Sequence, residues 1–503
     1  MVRRHDRKEA SELWKSQNWK KLRKDLFRLQ RRVFKAVREG DIGKAKSLQK
    51  LIMKSRAAQM LAVRQITQLN QGKKTAGIDG VKSMDYYERV KLVKRLQKEG
   101  NNWMHSGLRE IPIPKKNGKT RILKVPTLAD RAWQVSAKYA LEPAHEATFH
   151  ERSYGFRPGR SAHDVQKYVF DNLASHKNGW KKRVIELDIK KCFDRISHSA
   201  IMDRLIAPYG ISIGIFRCLK SGVSPDFPNQ GTPQGGVVSP LLANIALNGI
   251  EALHPSVRYA DDMVFFVKPG EKPEEILDFV KIFLNERGME ISEEKTKITK
   301  TTDGFDFLGW HMKVLKNQKF KSFPSEENFR NMRDKVKYIV NNSNYGAEVK
   351  AKKLAPIIRG WRNYHRFCWM DNVRDTLWFP RKTATKRFRK QKSVDRYEAV
   401  KLAKKAFPSV SWETNGFTMV KGNKSPFDGD TVYWSRRKNN LYDGKTVKAL
   451  KRQNHTCGFC GLKFLDDESV HLHHIDGNHD NWKRKNLMAV HHSCHQQIHW
   501  SKS

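Results

Sequence analysis

Two adjacent aspartates between two apolar runs are the feature that most restricts the fold of this chain. Asp261 and Asp262 follow Val257-Arg-Tyr-Ala260 and precede Met263-Val-Phe-Phe266. Strand-forming residues on both sides of so short a polar pair predict a tight β-hairpin. Adjacent ionised carboxylates repel each other and are costly beside apolar strands. They persist most naturally where a cation lies between them and a phosphate.

A third carboxylate, Asp188, ends the apolar run Val184-Ile-Glu-Leu187. Three carboxylates on neighbouring strands could hold two Mg²⁺ ions about 3.5–4 Å apart. Hard oxygen ligands suit this cation. One ion would activate a 3′-hydroxyl group, and the other would stabilise a leaving pyrophosphate.

The chain has 503 residues, too many for one compact core, so we expect two to four units. Short β-rich runs alternate with helical stretches from Gly77 to about Lys300, which predicts a mixed α/β body. Residues 1–75 and 325–379 have helical periodicity. Residues 381–392 contain seven basic residues and no acidic one. The last 50 or so residues form a separate Cys/His-rich module.

The charge balance indicates a polyanionic partner. Lys and Arg number 98 against 52 Asp and Glu, a net charge of +46. Nucleic acid is the default partner for such a surface, and an anionic membrane surface is the rival. No run approaches the roughly 20 apolar residues of a spanning helix, and the N-terminus lacks a secretory h-region. Six cysteines, three of them crowded at the tail, favour a reducing compartment with one metal site.

Four motifs in order make residues 75–310 resemble a reverse transcriptase. They are Arg121 with Lys115 and Lys116 before it, Leu187-Asp-Ile-Lys-Lys-Cys-Phe-Asp194, Gln234-Gly-Gly-Val-Val-Ser-Pro-Leu-Leu-Ala-Asn244 and Tyr259-Ala-Asp-Asp262. The resemblance implies that Asp188 and Asp261 bind both metals. Asp262 would support the hairpin or bind one metal transiently.

The same resemblance implies which residues bind substrate. Phe193 would clash with a 2′-hydroxyl group and so select deoxynucleotides, and Gln234 would touch the incoming nucleotide. Lys115 and Arg121 would hold its triphosphate. Lys295 would protonate the pyrophosphate, or it is simply a solvated lysine. Phe307-Leu-Gly-Trp310 resembles a primer-gripping hairpin, and Asp194 is expected to be structural because strand alternation turns it away from Asp188.

Flanking motifs are typical of bacterial group II intron-encoded proteins. They are Ala76-Gly-Ile-Asp-Gly80, Ile111-Pro-Ile-Pro-Lys-Lys116, Ser153-Tyr-Gly-Phe-Arg-Pro-Gly-Arg160 and Leu354-Ala-Pro-Ile-Ile-Arg-Gly-Trp-Arg-Asn-Tyr364. The resemblance implies a multidomain α+β right-hand polymerase, with palm, fingers and an α-helical thumb, that binds its intron RNA, assists splicing and copies the intron into DNA from dNTPs. We expect a basic N-terminal extension (1–75), fingers and palm (76–310), a maturase or thumb domain (311–380), a basic DNA-binding region (381–450) and a nuclease domain (451–503).

Two ligand pairs with x₂ spacing lie near the C-terminus, Cys457/Cys460 and His491/Cys494. Three thiolates and one imidazole suit tetrahedral Zn²⁺. A module this small has too small a hydrophobic core to fold without a structural metal ion. His492 or His495 could close the site in place of His491.

Val470-His-Leu-His-His-Ile-Asp476, Asn486 and Cys494-His495 resemble an HNH nuclease of the ββα-metal fold. The resemblance implies that His474 is the general base. A divalent catalytic metal would be bound by His473, His495 and His499, the last two sharing a helix face. Asn486 would orient His474, a structural role. An inactive, zinc-stabilised DNA-binding remnant is the alternative.

The whole-chain interpretation is therefore a reverse transcriptase, maturase and endonuclease that acts with intron RNA on target DNA by target-primed synthesis. It predicts a bacterial cytoplasmic protein that associates with the nucleoid when it acts on DNA, with an organelle left open. Rival interpretations are a splicing cofactor without enzymatic activity, and a retron, CRISPR-associated or diversity-generating reverse transcriptase. The intact aspartates disfavour the first, and the maturase-like helix and Cys/His tail disfavour the second.

Overall fold

The computed structural model describes residues 4–70, 75–114, 118, 120–222, 227–370, 377–391, 394–410, 417–438, 442, 444–462, 464 and 470–500. Four N-terminal helices come first: α1 (Arg4–Lys15), α2 (Trp19–Arg38), α3 (Ile42–Lys54) and α4 (Arg56–Arg64). The side chains of Asn18 and Asp41 cap α2 and α3 by accepting backbone N–H groups in the first turn. Val33 and Ile52 are buried in the same core as the central domain, so the N-terminal helices pack as part of that domain.

The central domain continues through eight helices and six strands. In chain order they are α5 (Tyr86–Glu99), β1 (Arg109–Pro114), β2 (Thr120–Val125), α6 (Leu128–Glu146), α7 (Ala162–Leu173), β3 (Arg183–Leu187), α8 (Cys192–Arg195), α9 (His198–Met202), α10 (Tyr209–Ser221), α11 (Ser239–Leu247), β4 (Ser256–Tyr259), β5 (Asp262–Val267), α12 (Pro273–Asn285) and β6 (Lys297–Lys300). Strands β1 and β2 form a separate antiparallel hairpin.

The palm sheet is antiparallel with strand order β4-β5-β3-β6. Its middle strands are apolar on both faces because each face packs against a different core. Ile185 and Phe265 join the core shared with the N-terminal helices, whereas Val184 and Phe266 join a second core. Alternating side chains of one strand point to opposite faces, which explains the nearly continuous apolar runs in the sequence.

A three-stranded antiparallel sheet follows: β7 (Phe305–Phe307), β8 (Trp310–Val314) and β9 (Phe320–Pro324). It leads into four helices that share one core: α13 (Glu326–Asn341), α14 (Ala347–Tyr364), α15 (Trp378–Arg389) and α16 (Arg396–Ala406).

The thumb core extends beyond residue 380, where a separate basic region was expected to begin. Helix α15 carries most of the basic run, yet its Ala384 and Phe388 are fully buried among the other three helices. These two residues are one turn apart and so lie on one face. The basic side chains between them occupy the solvent side, and α15 is a packed thumb helix.

The C-terminal part contains α17 (Thr431–Lys438), α18 (Gly444–Arg452), β10 (Val470–His474), β11 (Leu487–His491) and α19 (His492–Trp500). Arg437 pairs with the buried Asp164 of α7, so α17 packs on the palm. Ala449 and Leu450 of α18 are buried in the same small core as Cys457 and Cys494. The zinc-type module therefore includes α18, ahead of residue 451. None of the described helices is long and apolar enough to cross a membrane.

Candidate functional site

A cavity of about 780 Å³ opens between the palm sheet and the β1–β2 hairpin. The side chains that line it include six of those singled out from the sequence: Arg121, Asp188, Phe193, Gln234, Asp261 and Lys295. Lys115, expected beside Arg121, lies outside the described residues. Residues separated by as many as 174 positions are thus gathered around one cavity.

Asp188 directly follows the last residue of β3, an inner strand of the palm sheet. Leu187 pairs with Met263 in the sheet register, so Asp188 lies alongside Asp262, the first residue of β5. Lys295 donates a hydrogen bond from Nζ to Oδ2 of Asp188 over 2.8 Å, and this bond raises the pKa of the lysine. Lys295 is therefore paired with the Asp188 carboxylate, although 66% of its side chain is exposed to solvent.

Asp261 occupies the two-residue turn between β4 and β5, because Tyr259 pairs with Asp262 across the hairpin. Desolvation raises the pKa of Asp261, and the charge of Asp188 adds to this effect. Desolvation also raises the pKa of Asp262 to about 6, followed by repulsion from Asp261 and Asp188. Asp262 as a whole residue remains exposed to solvent. Three carboxylates that repel each other in this way could hold cations.

Gln234 connects the fingers hairpin with the palm. Its Oε1 accepts from Nε of Arg121 over 2.6 Å, and its Nε2 donates to Oδ1 of Asp194 over 3.2 Å. The expectation that Asp194 points away from the site was wrong. Residues 192–195 form the helical turn α8 instead of continuing the strand, so the alternation argument does not apply there.

Phe193 lies on the same helical turn and is partly buried against the main core. Its backbone carbonyl accepts from the N–H of Thr232 over 2.7 Å, which ties α8 to the segment that carries Gln234. The ring borders the cavity that also contains Asp188 and Asp261.

The predicted primer-gripping segment forms the turn between β7 and β8. Tyr364 of thumb helix α14 donates its hydroxyl to the carbonyl oxygen of Leu308 over 2.7 Å. The Tyr364 ring also stacks on Trp310, with centroids 4.6 Å apart. The thumb helix α14 thus contacts the turn between β7 and β8 through Tyr364.

A second candidate site lies in the C-terminal module. The possible ligand atoms of Cys457, Cys460, His491 and Cys494 all lie within 4.8 Å of one another. Nδ1 of His491 is 3.2 Å from Sγ of Cys460. The cysteines form no disulfide, and the donor set fits tetrahedral Zn²⁺. Of the histidines considered for the fourth position, His491 is the one that belongs to this group.

The adjacent ββα unit gathers a further set of histidines. Strand β10 pairs with β11 in antiparallel register, and α19 packs on both. The ring nitrogens of His473, His495 and His499 lie within 4.8 Å of one another. Desolvation and then the neighbouring His499 lower the pKa of His495 to about 4, which keeps this imidazole neutral, as metal binding requires.

His474 is the next residue on β10 and therefore faces away from His473. Its Nδ1 is 3.2 Å from the carbonyl oxygen of Asn481. A carbonyl only accepts, so Nδ1 carries the proton and Nε2 keeps its lone pair. Nδ2 of Asn486 donates to the same carbonyl over 2.8 Å and to Oδ1 of Asp476 over 2.8 Å. Asn486 thus braces the loop that orients His474.

Two residues that contact these sites were missed by the sequence analysis. Arg258 is buried beneath the Asp261 turn, and Asn481 contacts His474 through its backbone. An arginine inside an apolar strand is a weak signal of a buried ion pair. A backbone carbonyl leaves no signal in the sequence.

The central domain belongs to a class of RNA-dependent DNA polymerases. Residues 113–312 match the family model of reverse transcriptase (RNA-dependent DNA polymerase), and residues 14–96 match the N-terminal domain of reverse transcriptase. Residues 329–401 match the maturase-specific domain of group II introns. This last range includes α15, in agreement with the thumb core described above.

Three curated relatives agree with these matches. Maturase-like protein 1 of Euglena gracilis is 38% identical over 77% of this chain and 85% of its own length. Protein YkfC of Escherichia coli is 30% identical over 51% of this chain and 80% of its own. The group II intron-encoded protein LtrA of Lactococcus lactis is 28% identical over 50% of this chain and 54% of its own.

The chain belongs to the group II intron reverse transcriptase/maturase family. The resemblance expected from the sequence is confirmed to that extent. Membership makes it an RNA-directed DNA polymerase, which uses nucleotides and Mg²⁺, and a splicing factor that binds intron RNA.

Proposed function

We propose that Asp188 and Asp261 are the metal-binding carboxylates of DNA synthesis and that Asp262 supports the turn or binds one metal transiently. The observation that carries this proposal is the meeting of Asp188 and Asp261 at one cavity that also contains Phe193 and Gln234. Two Mg²⁺ ions, when bound, would lower the pKa of the primer 3′-hydroxyl and neutralise the triphosphate.

The remaining groups bind the reactants and move one proton. The primer 3′-hydroxyl group would release its proton to solvent, its oxygen would attack the α-phosphorus to form a new P–O bond, and the bond to pyrophosphate would break. Lys295 would donate a proton to the leaving pyrophosphate. Arg121 would leave Gln234 to hold the triphosphate, and Gln234 would then contact the nucleotide. The Phe193 ring would exclude a 2′-hydroxyl group.

Primer extension on an RNA template tests this assignment. Asp188→Asn should reduce extension below 1% of wild type, because loss of a metal ligand removes charge neutralisation of several kcal/mol, about tenfold for each 1.4 kcal/mol. Asp303→Asn alters an exposed turn aspartate and is the matched control. Wild-type extension by Asp188→Asn would remove Asp188 from the site.

We further propose that the C-terminal module is a zinc-stabilised HNH endonuclease. Cys457, Cys460, His491 and Cys494 would hold structural Zn²⁺. His473, His495 and His499 would hold a catalytic divalent metal, which supplies charge for the scissile phosphate. His474 would take a proton from the attacking water at Nε2, since Nδ1 is occupied by Asn481. Asn486 would keep that arrangement fixed.

The two activities together support target-primed reverse transcription. Intron RNA would insert into one strand of target DNA, the nuclease would nick the other strand, and the palm would extend the new 3′ end. The assay uses duplex target DNA with the intron ribonucleoprotein, scored for each strand separately. His474→Ala should lose cleavage of the second strand alone and retain extension of a supplied primer. His176→Ala, an exposed histidine of the palm, is the control.

Second-strand cleavage at the wild-type rate in His474→Ala would place the base elsewhere. A wild-type protein that assists splicing and nicks neither strand would indicate a remnant module instead.

A further inference from the structure

The turn that carries Asp261 has a backbone conformation that an alanine does not favour. Ala260, its first residue, has φ of +60°. A residue with a Cβ atom is sterically disfavoured at positive φ. Such a conformation persists where contacts with the surrounding structure hold it in place. The contacts around the turn therefore need an explanation.

Arg258, two residues before the turn, supplies one of those contacts. Its side chain is 1% exposed, and Nη1 donates to the carbonyl oxygen of Ala260 over 3.0 Å. The same guanidinium donates from Nη1 to Oδ1 of Asn244 over 2.9 Å and from Nη2 to Oγ of Ser153 over 2.7 Å. Its planar fork thus connects the turn, helix α11 and the segment before α7.

Glu251 compensates the buried charge. Its carboxylate is fully buried and accepts from Nε of Arg258 over 2.5 Å. Burial alone would raise the pKa of Glu251, but the charge and hydrogen bond of Arg258 outweigh burial, so the pKa is lowered. Glu251 is therefore ionised at neutral pH. A buried ion pair whose hydrogen bonds are all made holds its side chains in one arrangement, although burying the two charges costs desolvation energy.

The opposite side of the turn is closed by Gly155. A Cβ atom there would lie 2.3 Å from the backbone nitrogen of Ala260, so any side chain at this position would displace the turn. Nδ2 of Asn244 donates to the carbonyl oxygen of Gly155 over 2.8 Å. Three segments distant in sequence thus meet around one turn.

We propose that Arg258, oriented by its ion pair with Glu251, is a positioning residue that holds the Asp261 carboxylate in its metal-binding place. The inference rests on the proposed role of Asp261. Arg258 touches no substrate. It acts through the Ala260 carbonyl, one residue from Asp261, and Asn244 and Ser153 hold it in plane.

The test is Arg258→Lys, which retains the charge but cannot make the planar set of bonds. We expect the Mg²⁺ concentration for half-maximal primer extension to rise by about 10- to 100-fold, the usual effect of losing a residue that supports metal ligands. The Km for primer–template should stay within about twofold of wild type, because the side chains of this network are buried beneath the turn. Excess Mg²⁺ should restore most of the rate.

Arg287→Lys is the matched control. Arg287 is also a buried palm arginine with a backbone carbonyl acceptor, Ala246, but it does not contact the turn. It should lower thermal stability and leave the Mg²⁺ dependence unchanged. If Arg258→Lys fails to fold, the double variant Arg258→Gln/Glu251→Gln removes both charges and should show the same rise in required Mg²⁺.

A folded Arg258→Lys or double variant with wild-type Mg²⁺ dependence would overturn the inference. That outcome is distinct from failure of the proposed function. In the latter case, Asp261→Asn would itself extend primers normally.

Discussion

Phe388→Ala tests whether the basic run after residue 380 is a thumb helix or a separate DNA-binding linker. Phe388 has no exposed surface and packs among α13, α14 and α16. Replacing such a phenylalanine by alanine removes its transfer free energy and leaves a cavity, at a cost of about 3–5 kcal/mol. At about 1.4 kcal/mol for each factor of ten, the opening equilibrium of the thumb should rise by roughly 140- to 3,700-fold.

Hydrogen exchange measures this opening residue by residue. The slowest amides of all four thumb helices should lose protection by the same factor, whereas the palm sheet should be unaffected. Lys386→Ala is the matched control on the solvent face of the same helix. This variant should keep the free energy of thumb opening within about 0.5 kcal/mol of wild type. The slope of log affinity for nucleic acid against log salt concentration should fall by about one. Unchanged thumb protection in Phe388→Ala would refute the packing argument.

Three further predictions follow from the two sites. Phe193→Ala should raise incorporation of ribonucleotides relative to deoxynucleotides by at least tenfold, because the ring that would meet the 2′-hydroxyl group is gone; an unchanged ratio means that the ring is only core. Asp262→Asn should stabilise the metal-free palm at pH 7.5, because a folded pKa raised to about 6 destabilises the ionised form above that pH. In thermal melts, the difference from wild type should shrink as the pH falls below 6 and vanish below the ordinary aspartate pKa of about 3.9. Cys457→Ser should lose one equivalent of zinc by metal analysis and the exchange protection of α18, β10, β11 and α19 alone, with primer extension intact; a zinc-free wild-type protein would contradict the assignment.

Short-range patterns predicted where the three carboxylates lie, whereas the roles of the substrate-binding residues came from the resemblance to reverse transcriptases. Asp261 and Asp262 form the hairpin that their apolar flanks predicted, and Asp188 ends its strand beside them. Each of these statements depends on residues within about six positions, where periodicity and turn chemistry are informative.

The failures have physical causes. Asp194 was assigned by strand alternation, but the chain turns into α8 four residues after Asp188. The thumb boundary was set by charge, and the buried pair Ala384/Phe388 was hidden among basic residues. The contacts of Arg258 come from residues up to 105 positions away, and no local pattern records such a distance.

The central claim is that this palm makes DNA with its clustered carboxylates. The most direct test measures primer extension and intron-RNA affinity in the same preparations of three proteins: wild type, Asp261→Asn and Asp278→Asn. Asp278 is 70% exposed on α12 and serves as the control. The account predicts that Asp261→Asn loses extension by more than 100-fold, corresponding to about 2.7 kcal/mol or more, while its RNA affinity stays within about twofold. Asp278→Asn should match wild type in both assays. Extension at the wild-type rate by Asp261→Asn, with folding and RNA binding intact, would contradict the claim.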